Sequence, residues 1–211
     1  MNRNKTTAFP WAAGAVFLLL LAEVLQKGGS LLDDPVYGVI GRLVSPGLTP
    51  AVLAVTFFGS VAFLVGAAAV LCLFAWKRWG LPMAAVCAAN LAGASLCNTV
   101  LKKLVQRPRP AFIMVEETSF SFPSGHSLSS MAFYGFLILL VLWLCRGKKA
   151  AALCVGLGVL ILLIGLSRIY LGAHYASDVL AGFCEGLVWL SLYCRIPAVN
   201  RVLCGLRKEE P

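Results

Sequence analysis

The chain has 211 residues, 60% of them hydrophobic and 13% charged, with a mean hydropathy of +0.86. A water-soluble domain is roughly 45–50% apolar and about 25% charged, so the composition excludes an ordinary soluble fold and indicates a membrane protein. The net charge of +9 would suggest nucleic acid on a soluble protein, but here the basic residues fall in short breaks between apolar runs, where membrane topology accounts for them and no nucleic acid partner is expected.

A membrane-spanning helix needs about 20 largely apolar residues, and six segments approach or meet that length. The first runs from about Phe9 to Leu25, with Trp11 near one interface and Glu23 near the other. It lacks a small-residue cleavage signal and reads as a retained helix rather than a signal peptide. Residues 26–50 are amphipathic, with Asp33, Asp34 and Pro35 ahead of Val36, Tyr37, Val39 and Ile40. Asp34 before Pro35 is expected to cap a short helix lying on the outer surface, either a plain connector or a cover over lipid. The second span is expected as one uncharged run from Ala51 to Ala75, anchored by Trp76, Lys77, Arg78 and Trp79.

The third span covers Leu81 to about Leu101 and leads into Lys102 and Lys103. The fourth is expected to start near Pro123 and reach Cys145; the fifth runs from Ala150 to Ser167, and the sixth from His174 or Tyr175 to Cys194. Glu23 and Glu185 are unusual at membrane depth, and structural pairing and function are both open for them. Asn90 and Asn98 are expected to bond between helices, with Gly93, Gly156, Gly158 and Gly165 allowing close helix approach. The eight cysteines show neither CxxC nor Cys/His spacing and read as buried free thiols rather than disulfides or a zinc site.

The basic residues set the expected orientation. With the N-terminus cytoplasmic, Arg3, Lys5, Lys77, Arg78, Arg146, Lys148, Lys149, Arg195, Arg201, Arg207 and Lys208 lie inside, against Lys27, Arg42, Lys102, Lys103, Arg107, Arg109 and Arg168 outside. The outer set calls for another explanation, and most of it falls in two polar neighbourhoods. One runs from Lys102 through Arg109 and Pro110 to Pro123, Ser124, Gly125 and His126; the other holds Ser167, Arg168, His174 and Asp178. Two crossings separate them, so both emerge on the same side of the membrane whichever way the chain is inserted.

The residue types there suit phosphoryl transfer. Pro123-Ser124-Gly125-His126 is expected to open the fourth helix, with the free backbone N–H groups of Ser124, Gly125 and His126 pointing at an anion. His174 and Asp178 are four positions apart and are expected to share a helix face, the carboxylate taking the proton of one imidazole nitrogen and leaving the other as a nucleophile. Lys102, Arg109 and Arg168 can neutralise the equatorial oxygens of a phosphoryl group, Ser124 can add a hydroxyl, and His126 can protonate the leaving oxygen. No cluster of Asp, His and Cys remains to hold a metal, so catalysis is expected to need no cofactor. Lys103 and Arg107 read as interfacial anchors or headgroup contacts, and Glu116 and Glu117 as solvated charge or residues shaping headgroup access.

The three blocks, KKLVQRPRP at 102–110, PSGH at 123–126 and SRIYLGAHYASD at 167–178, resemble the signature Lys-x6-Arg-Pro, Pro-Ser-Gly-His and Ser-Arg-x5-His-x3-Asp of the type 2 phosphatidic acid phosphatase superfamily, the lipid phosphate phosphatases. All eleven specified positions match in order. The resemblance implies an all-α polytopic fold with a six-helix core in one domain over 1–211. It also implies a phosphohistidine at His174 supported by Asp178, His126 as acid, and Lys102, Arg109, Arg168, Ser124 and Gly125 holding phosphate. The short length resembles bacterial members acting on phosphatidylglycerophosphate, phosphatidic acid, diacylglycerol pyrophosphate or undecaprenyl pyrophosphate. Phosphatidylglycerophosphate is the expected substrate, reaching the site laterally from the bilayer of a bacterial cell membrane, with both termini cytoplasmic and the site on the outer face. A monomer or weak homo-oligomer is expected. A lipid phosphate transporter would also suit six short-looped spans, but it has no need of a histidine aimed by a carboxylate.

Overall fold

The computed structural model describes residues 5–206, and the chain is helical almost throughout. Arg3, Arg207 and Lys208, counted among the inner basic residues, lie outside the described residues. Helix α1 spans Lys5–Lys27 and ends at Gly28, whose positive φ of 71° lets its N–H reach the Val24 carbonyl. The surface helix expected in the first loop is α2, Asp33–Gly41, with Asp33 and Asp34 in its first turn, where carboxylates suit the helix dipole. Leu32 is the residue at its N-cap and makes no side-chain cap bond there.

The second span is not continuous. Helix α3, Thr49–Phe57, stops at Phe58-Gly59-Ser60, and α4, Val61–Trp79, starts afresh with the Ser60 hydroxyl accepting from the Phe63 N–H at 3.2 Å. The freed Phe58 carbonyl accepts from the Tyr134 hydroxyl at 2.8 Å, so the interrupted backbone finds a partner within the protein. Gly59 belongs at the break because a Cβ there would lie 2.5 Å from Ile164 and 3.1 Å from the His126 ring. Only a backbone without a side chain can approach that histidine so closely.

Helices α4 and α5 (Leu81–Val105) form a hairpin through Gly80, at φ 85°. Helix α6, Gly125–Leu144, lies against α5, α7 (Lys148–Tyr170) and α8 (Ala176–Tyr193), while α1 packs on α8. Ser124 caps α6 by accepting from the Ser127 N–H, so the helix begins one residue after Ser124 and Pro123 stands before the cap rather than in the first turn. The chain bends by 80° after α8 into α9, Pro197–Leu206. Val199, Leu203 and Leu206 recur along one face of α9 and bury against Met83, Phe136 and Tyr193 at the end of the bundle.

Five of these helices are long and apolar enough to cross a membrane, six if α8 and α9 are taken as one bent span. Their outward faces carry exposed Leu18, Leu19, Val65, Val70, Val155 and Leu162, as expected of surfaces in lipid. Between helices, Asn90 donates to the Ala132 carbonyl at 2.7 Å and accepts from the Trp189 ring N–H at 3.0 Å. Gly93 sits against Trp189 and Gly165 against Phe183, whereas a Cβ on Gly156 or Gly158 would meet open space, so those two do not serve close packing within the chain. All eight cysteines are free thiols, but only Cys87 and Cys184 are buried within the protein, and Cys97, Cys145 and Cys204 are exposed on its surface.

Candidate active site

The two polar neighbourhoods meet at one end of the bundle around a cleft of about 430 Å³, lined by Gly59, Asn98, Lys102, Arg109, Glu117, Gly125, His126 and His174 among others. Lys102 comes from the last turn of α5, and its ammonium donates to the Phe120 carbonyl. Gln106, with a left-handed φ of 52°, ends α5. Pro108 and Pro110 follow within four residues and keep the chain extended as it carries Arg109 over the cleft. Arg109 is fixed by its Nε–H to the Ser119 carbonyl and by one terminal nitrogen to the Ala173 carbonyl, both at 2.7 Å.

That same nitrogen lies 3.3 Å from Nε2 of His174. A guanidinium can only donate, so Nε2 is the unprotonated nitrogen and the proton sits on Nδ1. Nδ1 faces Asp178, 3.5 Å from Oδ2, with the Ser121 hydroxyl at 3.4 Å. His174 and Asp178 do not share a helix face: His174 precedes α8, in the turn that Gly172 makes at φ 65°, and Asp178 lies within the first turn of α8. The Asp178 carboxylate folds back to accept the Tyr175 N–H at 3.0 Å, and this cap turns it toward the imidazole. At Gly172 a Cβ would lie 1.8 Å from the Phe112 carbonyl oxygen, so glycine is required there on both counts.

His174 is 1% exposed. Burial, followed by the charges of Lys102 and Arg109, lowers its pKa to about 4, outweighing Asp178, which acts in the opposite direction. The imidazole is therefore neutral, with a free lone pair, at all pH values well above 4, and protonation at lower pH removes that lone pair. The acid limb of kcat/KM, which reports the free enzyme, is expected near pH 4 rather than near the ordinary histidine value of about 6.5. A pH–rate profile checks this; an acid limb near 6.5 would contradict the buried, cation-flanked setting.

His126 lies in the first turn of α6 and forms part of the cleft wall, beside Gly59 of the broken span. Gly125 opens α6, and a Cβ there would come 3.2 Å from the Asn98 side-chain oxygen. Ser124 is fully buried, its backbone N–H donates to the Asp178 carbonyl at 3.0 Å, and its hydroxyl accepts from Ser127 at 3.1 Å. The Ser124 N–H is thus occupied, which leaves the N–H groups of Gly125 and His126 at the start of α6. Arg168, at the end of α7, is 2% exposed and donates to the Thr56 hydroxyl at 3.0 Å, at the broken span.

Several residues outside the expected set complete the site. Glu117 is not a solvated charge: its carboxylate bridges the guanidinium groups of Arg109, at 3.1 Å, and Arg168. Arg107 is neither an interfacial anchor nor a headgroup contact, being 3% exposed and bonded to Asp178 at 2.6 Å and to Asp33 at 2.7 Å. Its pKa rises above the ordinary arginine value because Asp178 and Asp33 outweigh burial, which acts to lower it. Ser121 donates to Asp178 Oδ2 at 2.5 Å. Among the described residues no group of three or more His, Cys, Asp or Glu could hold a metal ion.

A carboxylate-facing imidazole beside Arg109, in a cleft shared with Lys102 and His126 at one end of a bundle of apolar helices, has the parts that phosphoryl transfer needs. The family model of the PAP2 superfamily matches residues 83–201. The chain is 34% identical to phosphatidylglycerophosphatase B of Bacillus subtilis over 82% of this chain and 86% of that one. It is also 34% identical to a lipid A 1-phosphatase of Rhizobium etli over 54% of this chain and 48% of that one. The crystal structure of the transmembrane PAP2-type phosphatidylglycerolphosphate phosphatase from Bacillus subtilis superposes with a TM-score of 0.76 at 29% identity, covering 87% of this chain and 93% of that one. That of LpxE from Aquifex aeolicus superposes at 0.60 with 22% identity over 79% and 96%, a likeness of fold. The chain belongs to the PAP2 superfamily and is a multi-pass membrane lipid phosphatase.

Proposed function

We propose that the protein hydrolyses a lipid phosphomonoester, with phosphatidylglycerophosphate as the favoured substrate, through a phosphohistidine at His174. The observation that carries the reading is the unprotonated Nε2 of His174, 3.3 Å from Arg109 in a cleft shared with Lys102 and His126. Nε2 attacks phosphorus, the bond from phosphorus to the lipid oxygen breaks, and His126 gives that oxygen its proton. Water then attacks the phosphohistidine with His126 as base, releasing phosphate and regenerating His174. Lys102, Arg109 and Arg168 neutralise the equatorial oxygens, with the Gly125 and His126 N–H groups at the helix start and the Ser124 hydroxyl assigned to phosphate as well. Glu117 sits where a phosphoryl group would meet Arg109 and Arg168, so the incoming phosphate takes over its two guanidinium partners.

Lateral access from the bilayer rests on the groove between α4 and α5, lined by Leu64, Val65, Ala68 and Leu91, which shares Val61, Ser95 and Ser129 with the catalytic cleft. An acyl chain would lie there while its headgroup reaches the histidines. The bias of basic residues toward the opposite end of the bundle favours cytoplasmic termini and an extracytoplasmic site. Phosphatidylglycerophosphate is preferred because the Bacillus subtilis relative of nearly full coverage bears that activity in its name; undecaprenyl pyrophosphate and broad specificity are the competing readings. The test is phosphate release by purified protein from phosphatidylglycerophosphate, undecaprenyl pyrophosphate, phosphatidic acid and a water-soluble phosphate ester. The first is expected to give the highest kcat/KM, and the soluble ester to fall at least about 10²-fold below it, from loss of remote binding energy. Equal rates on the soluble ester would contradict lateral access, and a higher kcat/KM on undecaprenyl pyrophosphate would transfer the assignment to that lipid.

A further inference from the structure

Arg107 has no place in the chemistry above. Its terminal nitrogens are taken by Asp178, Ser177 and Asp33, none of which is assigned to phosphate. Yet its guanidinium is among the most completely enclosed polar groups in the chain. One terminal nitrogen donates to Asp178 Oδ1 at 2.6 Å and to the Ser177 hydroxyl at 2.8 Å; the other donates to Asp33 Oδ2 at 2.7 Å. The Tyr175 ring covers it, with the guanidinium carbon 4.0 Å from the ring centroid.

Asp33, at the start of the surface helix α2, is correspondingly saturated. It accepts the Ser177 N–H at 2.9 Å, the Ser177 hydroxyl at 3.0 Å and the Ser30 N–H at 2.9 Å. The Ser30 hydroxyl in turn donates to Glu23 of α1 at 2.5 Å. Gly29 passes directly over the pair, a Cβ there falling 3.5 Å from Arg107. Buried charges persist when they are paired; both terminal nitrogens of Arg107 are taken, while its buried Nε–H has no partner. Here Asp33, Arg107 and Asp178 alternate in sign along a line that ends at the imidazole of His174.

We propose that Asp33 and Arg107 are positioning residues for the phosphatase reaction: Asp33 fixes Arg107, and Arg107 fixes Asp178 so that Oδ2 faces Nδ1 of His174. Arg107 takes Oδ1, which leaves Oδ2 for Ser121, Tyr175 and the imidazole. Asp33 offsets the Arg107 charge, which would otherwise draw electron density from the carboxylate that supports the imidazolium-like character of His174 during attack. The first outer loop, far from the signature blocks in sequence, thereby sets the aim of the nucleophile. The proposal rests on the hydrolytic reading of His174.

The test is a double-mutant cycle of Asp33→Asn and Arg107→Met, with kcat, KM and pH profile measured on the lipid that the wild-type protein hydrolyses fastest, and thermal stability measured in parallel. Asp33→Asn is expected to lower kcat about 10-fold and Arg107→Met about 10²-fold, through misplacement of the nucleophile, with KM within about 3-fold because neither residue touches phosphate. The acid limbs should move in opposite directions. Losing the negative Asp33 shifts it down and losing the positive Arg107 shifts it up, each by a fraction of a pH unit to about one unit. The other groups facing His174 stay the same in every variant: Lys102 of α5, His126 of α6, Arg168 of α7, Asp178 of α8, and Arg109, Glu117 and Ser121 of the connecting loop. In the Arg107→Met background, Asp33→Asn should have little further effect on kcat.

Arg107→Lys keeps the charge but loses the two-armed fork, and serves in place of Arg107→Met should that protein not fold; its kcat should fall with little movement of the acid limb. Wild-type kcat in Asp33→Asn, acid limbs that move together, or a full additive loss in the double mutant would overturn the relay. A wild-type protein that releases no phosphate from any lipid would overturn the hydrolytic reading and the relay together, which keeps the two failures distinct.

Discussion

Replacing His174 with alanine is expected to lower kcat on the preferred lipid by on the order of 10⁴-fold or more, the largest effect of any single change in the chain. The magnitude follows from what the side chain supplies. Its Nε2 lies 3.3 Å from Arg109, and Nδ1 on the other side of the ring faces Asp178 and Ser121. A phosphoryl group bound by the cations without that nitrogen has electrostatic stabilisation but nothing to attack it except unoriented water. Binding should survive: KM, or the affinity for inorganic phosphate, is expected to change by only a few fold, because Lys102, Arg109 and Arg168 are untouched. Asparagine at position 174 should be as inactive as alanine, since it restores a hydrogen bond to Asp178 but no nucleophile. Steady-state phosphate release on detergent-solubilised protein measures this, and a loss of less than about tenfold in both variants would contradict nucleophilic catalysis by His174.

Replacing His126 with alanine is expected to cost about 10²- to 10⁴-fold in kcat/KM, which reports phosphoenzyme formation, on a phosphomonoester lipid, and markedly less in kcat/KM on a pyrophosphate lipid. A monoester must expel an alkoxide, which leaves only if a proton reaches it. A pyrophosphate expels a phosphate, whose oxygen is far less basic and needs little help. His126 sits in the first turn of α6 on the wall of the cleft, with Gly59 of the interrupted second span pressed to its ring. That position, in the same cleft as His174, suits proton delivery to the leaving group. Removing His126 also removes the base for the second step, so with a pyrophosphate substrate the phosphoenzyme should form and persist. Equal losses of kcat/KM on the two lipids would contradict the acid role and leave His126 as a wall residue.

The parts of the site that were legible in the sequence are those encoded at short range. PSGH marks a helix start, although Pro123 stands before the cap and not in the first turn, and His174 and Asp178 meet as expected but from a turn and the helix after it, not from one helix face. The parity of two membrane crossings brings the blocks together without any knowledge of packing. The break at Phe58-Gly59-Ser60 was hidden because the residues on both sides are apolar, although Gly-Ser within such a run is itself a helix-stop and cap signal. Helix α9 carried a readable spacing at Val199, Leu203 and Leu206, passed over beyond the last span.

Partners far apart in sequence were not legible. Arg107 and Asp33 are 74 residues apart, and Arg168 and Glu117 are 51 apart, so neither local period nor charge pattern joins them. Arg107, two residues before a matched arginine, and Glu117, in a loop, both resemble surface charge until the fold buries one and brings the other against Arg109 and Arg168. Ser124 shows the converse. The motif places it at a helix start with a free N–H, and packing against α8 gives that N–H to the Asp178 carbonyl.

The central claim is that phosphorus passes from the lipid to Nε2 of His174. It is tested most directly by loading the His126→Ala protein with a pyrophosphate lipid, quenching in alkali, where phosphohistidine survives, and locating the added phosphate by peptide mass spectrometry. The account predicts phosphate on His174, absent when that residue is also replaced. Phosphate on any other side chain, or phosphate release at the wild-type rate with no covalent species on His174, would contradict it.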